Sequence, residues 1–306
     1  MRCSFLRSRG DAGGWLCSRA EAPGHDCCNG SLRPAHPLGA IARVYTINGK
    51  GMNMDLDIVD TNRRLYDEQG HGYDKVSNDP EEAYIVNPMV FSTIGNVEGK
   101  SILDLACGAG FYLKKFVEQG GTDLVGVDMS EGMLNTARRL LGDRVTLFKE
   151  DIGRPDLDRV VGTKRFDVVF CAWGLFYMET DKNLEDCLST CYRALKDDGT
   201  AYFVLGDDKN IKEGGIEKLI QVEILDVVRG DWTGPTYTRK ALAGDFICQD
   251  LWRPYEILEA ACKKAGFTKV DKVETLFDEY GLMGWSAEDW EKIKEVKPVF
   301  MIVCRK

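Results

Sequence analysis

The stretch Asp104-Leu105-Ala106-Cys107-Gly108-Ala109-Gly110 decides how this chain is read. It closes an apolar strand expected at 101–105 and opens a helix expected at about 110–119. Gly108 and Gly110 permit a tight strand-to-helix turn and let backbone approach a ligand closely. Two glycines alone specify no more than a turn. Asp104, at the strand end, adds the discriminating chemistry. A dinucleotide site uses such a turn to receive a pyrophosphate at the helix N-terminus. A carboxylate at that point repels phosphate and favours an amino group or a sulfonium.

Moving outward, the next apolar strand ends Val125-Gly126-Val127-Asp128-Met129. An acid in this position can bind both hydroxyls of a ribose, and Met129 is placed to pack on an adenine face. A third strand leads into Glu150-Asp151-Ile152, where a carboxylate can accept from an exocyclic amino group and an aliphatic side chain can cover the ring. Each acid taken singly is more often a solvated loop residue. Acids at three successive strand C-termini share the ligand-binding edge of a sheet.

The alternation continues on both sides. Helices are expected at 55–69 and 80–95, the second disturbed by Pro88. Strands are expected at 101–105, 123–127, 144–149, 166–171 and 200–205, with helices at 110–119, 130–141 and 181–195 and a short helical or loop stretch at 153–162. The fold expected is α/β: a Rossmann-like, doubly wound, mostly parallel seven-stranded sheet with an N-terminal helical lid. An insertion after the fifth strand (207–252) carries a helix at about 214–228 and the aromatics Trp232, Tyr237, Phe246 and Trp252. A helix at 254–265 and strands at 268–276 and 298–304 finish the chain, the strands as an antiparallel hairpin.

Of 306 residues, 44% are hydrophobic and 29% charged, the balance of a soluble globular protein, and no apolar run is long enough to span a bilayer. The first fifty residues hold six Arg, Lys50 and three acids, a charge of +4. The remainder then carries −13 (−9 minus 4), which argues against a nucleic-acid binder and suits a cationic ligand. Four of eleven cysteines fall in the first 28 residues, and the other seven form no CxxC pair. Cys187 and Cys191 share a helix face, but without a third ligand nearby the reading is buried thiols in a reducing compartment and no metal. Residues 1–50, rich in Gly, Arg, Ser, Pro and Cys, are expected to be a disordered, non-essential extension, with 51–306 as the catalytic domain and 98–206 as its cofactor-binding core. Organelle targeting and translated upstream sequence ahead of Met52 or Met54 are the competing explanations for that extension.

Residues 101–205 resemble the core of the class I S-adenosylmethionine-dependent methyltransferases, and Leu195-Lys196-Asp197-Asp198-Gly199 is similar to that family's turn before the fifth strand. The resemblance implies S-adenosyl-L-methionine as cofactor. It assigns Asp104, Gly108 and Gly110 to the cofactor's methionine side, Asp128 and Met129 to ribose and adenine, and Asp151 with Ile152 to the adenine edge, and it counts Ala106 and Ala172 among the cofactor-binding residues. Tyr66-Asp67 and Cys171-Ala172-Trp173 look most similar to small-molecule methyltransferases.

The fourth strand runs into Trp173, Phe176 and Tyr177, with no Asn/Asp-Pro-Pro motif and no acids suited to a catechol-type magnesium site. His71 is the one histidine beyond residue 50, so a histidine base is not expected. Trp173, Tyr177, Asp207 and, by analogy with the family, Tyr73 are the candidate catalytic residues. For Trp173 and Tyr177 core packing is the competing reading, and for Asp207 a loop cap. Aromatic faces beside carboxylates suit an amine or heterocyclic nitrogen as methyl acceptor. The alternatives are O- or C-methylation of a small metabolite and an inactive cofactor-binding partner subunit. A cytoplasmic monomer or homodimer, with no nucleic-acid or membrane partner, completes the expectation.

Overall fold

The computed structural model describes residues 58–69, 81–220, 222–225, 238–241, 251–275, 277 and 284–306. Helix α1 (Ile58–Gln69) comes first among these, and a π turn (Glu82–Val86) then runs directly into α2 (Asn87–Ile94). The disturbance expected from Pro88 therefore takes a definite form. Proline has no N–H to donate, and its ring crowds the carbonyl four residues back, that of Tyr84. The wider π turn accommodates the ring without ending the helix.

The central sheet follows the expected alternation. Strands β1 (Ile102–Leu105), β2 (Leu124–Asp128), β3 (Thr146–Lys149), β4 (Phe166–Ala172) and β5 (Leu195–Gly206) are mutually parallel where they pair. They are linked by α3 (Phe111–Glu118), α4 (Glu131–Leu141), α5 (Asp158–Val161) and α6 (Asp181–Ala194). Every residue of β1 is buried, as a strand covered by helices on both faces requires. The expected turn at Asp197-Asp198-Gly199 is a bulge within β5: Leu195 pairs with Phe166, and pairing resumes at Thr200 with Val168.

Beyond β5 the structure departs from expectation. The helix expected at 214–228 is replaced by α7 (Asp208–Gly214), which stops where Gly215 turns left-handed at φ 62°. A two-stranded antiparallel pair, β6 (Val222–Leu225) and β7 (Thr238–Ala241), follows. Trp232, Tyr237 and Phe246 lie outside the described residues. Helix α8 (Tyr255–Ala265), strand β8 (Lys269–Glu274), helix α9 (Ala287–Val296) and strand β9 (Val299–Arg305) complete the chain. The expected hairpin pairing is present, with β9 inserted antiparallel between β5 and β8. The seven-stranded order is β3-β2-β1-β4-β5-β9-β8. The sequence order reverses between β1 and β4, so a crevice opens at their C-terminal ends.

Two apolar layers enclose the sheet. One includes Met89, Phe116, Phe170 and Trp290, and the other Leu103, Phe166, Phe203 and Leu258. Cys171, Cys187 and Cys191 are buried in the second layer as free thiols. Among the described residues, no helix is long and apolar enough to cross a membrane.

Candidate active site

A cavity of about 560 Å³ opens at the C-terminal ends of β1, β2 and β4. Its floor is the turn after β1. The turn needs left-handed backbone at Ala106 (φ 58°), Gly108 (φ 52°) and Gly110 (φ 84°). The two glycines serve different ends. A Cβ on Gly108 would meet nothing within 4 Å, and Gly108 lines the cavity. A Cβ on Gly110 would lie 2.8 Å from Leu141 Cδ1 and 3.2 Å from Ala137 Cβ. Gly110, assigned above to the cofactor, is accordingly required by the close packing of α3 on α4, and it does not line the cavity.

The carboxylate of Asp128 ties two loops together. Gly108 donates its N–H to Asp128 Oδ2 at 2.8 Å, and Ser130 donates its N–H to Oδ1 at 2.8 Å. Burial nevertheless pushes Asp128 up to about 6, these two N–H groups opposing the shift. Asp104 is 2% exposed, and its Oδ2 is buried without a hydrogen-bond partner. Burial, aided by the nearby charge of Asp128, holds the Asp104 carboxyl well above the usual carboxylate range. An orphaned buried oxygen of this kind costs about 1–3 kcal/mol, a cost a hydrogen-bond donor in the cavity would relieve.

Ala106, Met129, Asp151, Ile152 and Ala172 also line the cavity. Asp151 Oδ1 accepts the Gly153 N–H at 2.8 Å, which fixes the loop after β3. At the end of β4, Trp173 adopts φ 64°, an uncommon conformation for a bulky residue. Gly174 follows, and a Cβ there would lie 2.5 Å from Cys171 Sγ and 2.8 Å from Ala106 Cβ. The loops after β1 and β4 thus pack directly on each other. Trp173 and Tyr177 both line the cavity, whereas Phe176 turns into the core and is 1% exposed.

Helix α1 reaches this site twice. Tyr66 lines the cavity, and its hydroxyl is 2.5 Å from that of Tyr177. The neighbouring carboxylate, Asp67 Oδ1, accepts from Ser130 Oγ at 2.8 Å and from the Gly132 N–H at 3.1 Å. Burial alone would raise Asp67, but these donors and the Arg63 charge outweigh it and hold the group below its ordinary value.

Asp207 lies elsewhere. Its side chain accepts from the Asn210 N–H as the N-cap of α7 and pairs with Lys272 at 3.2 Å. It is absent from the cavity lining, and the cap explains why an acid stands there. Asp208 and Trp252 are buried, with Trp252 Nε1 donating to the Gly206 carbonyl at 3.1 Å. Tyr73 and His71 lie outside the described residues. Among the described residues no group of three or more His, Cys, Asp or Glu could hold a metal ion.

Several lining residues went unread in the sequence, among them Glu82, Asn87 and Tyr112. Tyr112 donates its hydroxyl to Glu82 Oε1, and Asn87 Oδ1 is buried without a partner. The only available signal was the Asn87-Pro88 pair inside a helical pattern, which marks a backbone distortion and not a site.

Residues 102–199 match the family described as a methyltransferase domain. This chain carries a methyltransferase domain of the class I fold. An S-adenosylmethionine-dependent methyltransferase from Mesorhizobium loti superimposes with a TM-score of 0.55 at 18% identity, covering 76% of this chain and 100% of that one. A ubiquinone biosynthesis O-methyltransferase from Pseudomonas syringae is 30% identical over 122 residues, 39% of this chain and 50% of its own length. A dTDP-3-amino-3,4,6-trideoxy-alpha-D-glucopyranose N,N-dimethyltransferase from Streptomyces venezuelae is 37% identical over 87 residues, 28% of this chain and 34% of its own length. Aligned segments span about half the length of the curated relatives matched first, between 44% and 48%. The methyltransferase domain accounts for β1 through the bulge in β5, and the cavity described above lies at its strand ends.

Proposed function

We propose that the protein transfers a methyl group from S-adenosyl-L-methionine to a small-molecule acceptor, with an amine or heterocyclic nitrogen preferred. One observation carries the cofactor reading: a buried carboxyl, Asp104, lines the cavity beside the glycine turn with an unpartnered oxygen. It suits an ammonium group and repels the pyrophosphate of a dinucleotide. The open space above Gly108 leaves room for a ligand to approach the backbone.

In this reading Asp104 and Gly108 hold the methionine end, Asp128 the ribose hydroxyls, Met129 and Ile152 the adenine faces, and Asp151 the adenine amino group. When bound, the cofactor supplies an electrophilic methyl on a sulfonium. The protein aligns the acceptor for in-line displacement and keeps water out, contributions that can supply most of the rate for a good leaving group. Tyr66 and Tyr177 close one side of the cavity through their hydroxyl contact, and Trp173 offers a ring face. Aromatic walls with several carboxylates favour a cationic or N–H-bearing acceptor.

The Tyr66–Tyr177 hydroxyl pair favours O-methylation as a second reading, since one of the two phenols, ionised to phenolate and held by the O–H of the other, would receive the proton of an attacking hydroxyl. Calorimetry with S-adenosylmethionine and with NAD tests the cofactor: heat with the former alone is expected, and its absence overturns the proposal. A labelled-methyl screen over pooled metabolites then assigns the acceptor atom. The domain organisation (a catalytic unit of residues 51–306 with an insertion at 207–252), a cytoplasmic location and a monomeric or homodimeric state belong to the same proposal.

A further inference from the structure

Helix α1 is seated on α4 by a contact that only a glycine allows. Gly132, the second residue of α4, has no positive φ, so its backbone conformation would accept any residue. A Cβ there, however, would lie 2.3 Å from the Asp67 carbonyl oxygen and 2.8 Å from Asp67 Cα. The missing side chain is what lets α1 come so close. At the same contact the Asp67 carboxylate accepts from Ser130 Oγ and from the Gly132 N–H. Ser130 is buried and shared three ways: its Oγ also accepts the Met133 N–H at 3.1 Å, and its own N–H holds Asp128. One residue before Asp67, Tyr66 meets Tyr177 hydroxyl to hydroxyl. Ser130 and Gly132 follow β2, Tyr177 follows β4, and β1 lies between those two strands. The last turn of α1 consequently bridges the end of β1, where Asp104 and the glycine turn stand.

We infer that α1 is a strap across the cofactor site, that Asp67 is the positioning residue that seats it, and that the cofactor enters and leaves when it lifts. The inference rests on the cofactor reading above. Hydrogen bonds fasten the strap to the loop after β4 and to the start of α4, contacts that can open locally while the sheet stays folded. Such a strap, closing over the empty and the occupied site alike, has a kinetic signature. Loosening it speeds entry and exit together and leaves their ratio, the affinity, little changed. A wall that only contributes contacts behaves otherwise, since losing it speeds exit alone and weakens binding.

The test follows tritiated S-adenosylhomocysteine on the full chain, its uptake by rapid filtration and its release under a chase of unlabelled ligand. Gly132→Ala pushes α1 away with its added methyl, whereas Asp67→Ala removes both acceptor bonds without adding bulk. Neither residue lines the cavity. Each variant should raise both rates at least about fivefold, with the ratio of the two within about threefold of the native chain. Asp67→Asn keeps an acceptor oxygen for Ser130 and Gly132 and should fall back to within about twofold of the native rates. Faster release with unchanged uptake in Asp67→Ala overturns the strap, because α1 is then only a wall. An Asp67→Asn chain as fast as the alanine variant overturns the assignment of Asp67 as the seat. If Gly132→Ala fails to fold, Asp67→Ala decides alone. No uptake by the native chain sinks the cofactor reading and the strap with it, whereas bound label with native rates in Asp67→Ala sinks the strap alone.

Discussion

The backbone N–H of Gly108 donates to Asp128 Oδ2 across 2.8 Å, joining the turn after β1 to the end of β2. A second N–H, that of Ser130, holds the other oxygen of the same carboxylate. Asp128 therefore shapes the cavity before any ligand arrives.

That double role separates two variants. Asp128→Asn keeps one acceptor oxygen and should retain the fold, while Asp128→Ala orphans two N–H groups and should cost about 1–3 kcal/mol. Both should lower S-adenosylhomocysteine affinity, the alanine variant by about a hundredfold if a charge-assisted bond to ribose is lost. Denaturant melts and calorimetry read the two effects independently, and undiminished affinity in Asp128→Ala refutes the ribose role.

The raised carboxyls predict a pH signature. Asp104 sits well above the usual carboxylate range because it is buried near the charge of Asp128. An incoming ammonium favours its ionised form, so ligand binding should release a proton at pH values where the free carboxyl is protonated. Calorimetry in buffers of different ionisation enthalpy should show that release, and Asp104→Asn should abolish it. Asp128, raised to about 6, has the opposite consequence for the free protein. Its contribution to stability is full below its ordinary value of 3.8 and is lost as pH rises through about 6. A stability profile of Asp128→Asn should lack that decline between about pH 4 and 6.

The two glycines of the turn should fail differently when replaced by alanine. Gly110→Ala places a Cβ 2.8 Å from Leu141 Cδ1 at φ 84°, and overpacking should cost about 1–3 kcal/mol in addition to backbone strain. Gly108→Ala meets no neighbour, though its φ of 52° still carries strain. It should lose cofactor affinity out of proportion to stability, since its added methyl stands in the cavity. Equal loss of melting temperature with unchanged affinity in both variants contradicts this division.

Asp67 caps α4 from a different helix, accepting from Ser130 Oγ and the Gly132 N–H. Asp67→Ala should cost about 0.5–2 kcal/mol, as loss of a helix cap does. Its lowered carboxyl means that this stabilisation is present above the ordinary value of 3.8 and is lost as pH falls through the lower folded value. Hydrogen exchange in α1 should accelerate in the variant at pH 7. Exchange indistinguishable from the native chain means that Asp67 does not hold α1 in place.

The parallel core was legible because its strands are short apolar runs separated by helices with clear ends. The thiols Cys171, Cys187 and Cys191 were read as buried and are buried. The segment after β5 was harder: a helix was expected at 214–228, whereas α7 ends at Gly214 and β6 occupies Val222–Leu225. Among aromatics after β4, side-chain direction separates Phe176 from its neighbours, and the single turn Gly174–Tyr177 that sets it has no periodic signature. Asp207 misled because an acid just past a strand end serves equally as a helix cap.

From the sequence alone came the acids at the ends of β1, β2 and β3 and the glycine turn between them, hence the sheet edge at which a ligand would sit. Those features are local: a strand's end and the turn after it are fixed by neighbouring residues. The tertiary structure decided which of these residues face the cavity and which serve packing, as Gly108 and Gly110 show two positions apart. It also brought Glu82 and Asn87 to the same place from the N-terminal helices. Their approach depends on a π turn and long-range packing, neither of which leaves a periodic trace in the chain. Asp104 thus kept the importance its position in the sequence implied, and the structure gave the reason: a buried carboxyl with an oxygen still to be satisfied.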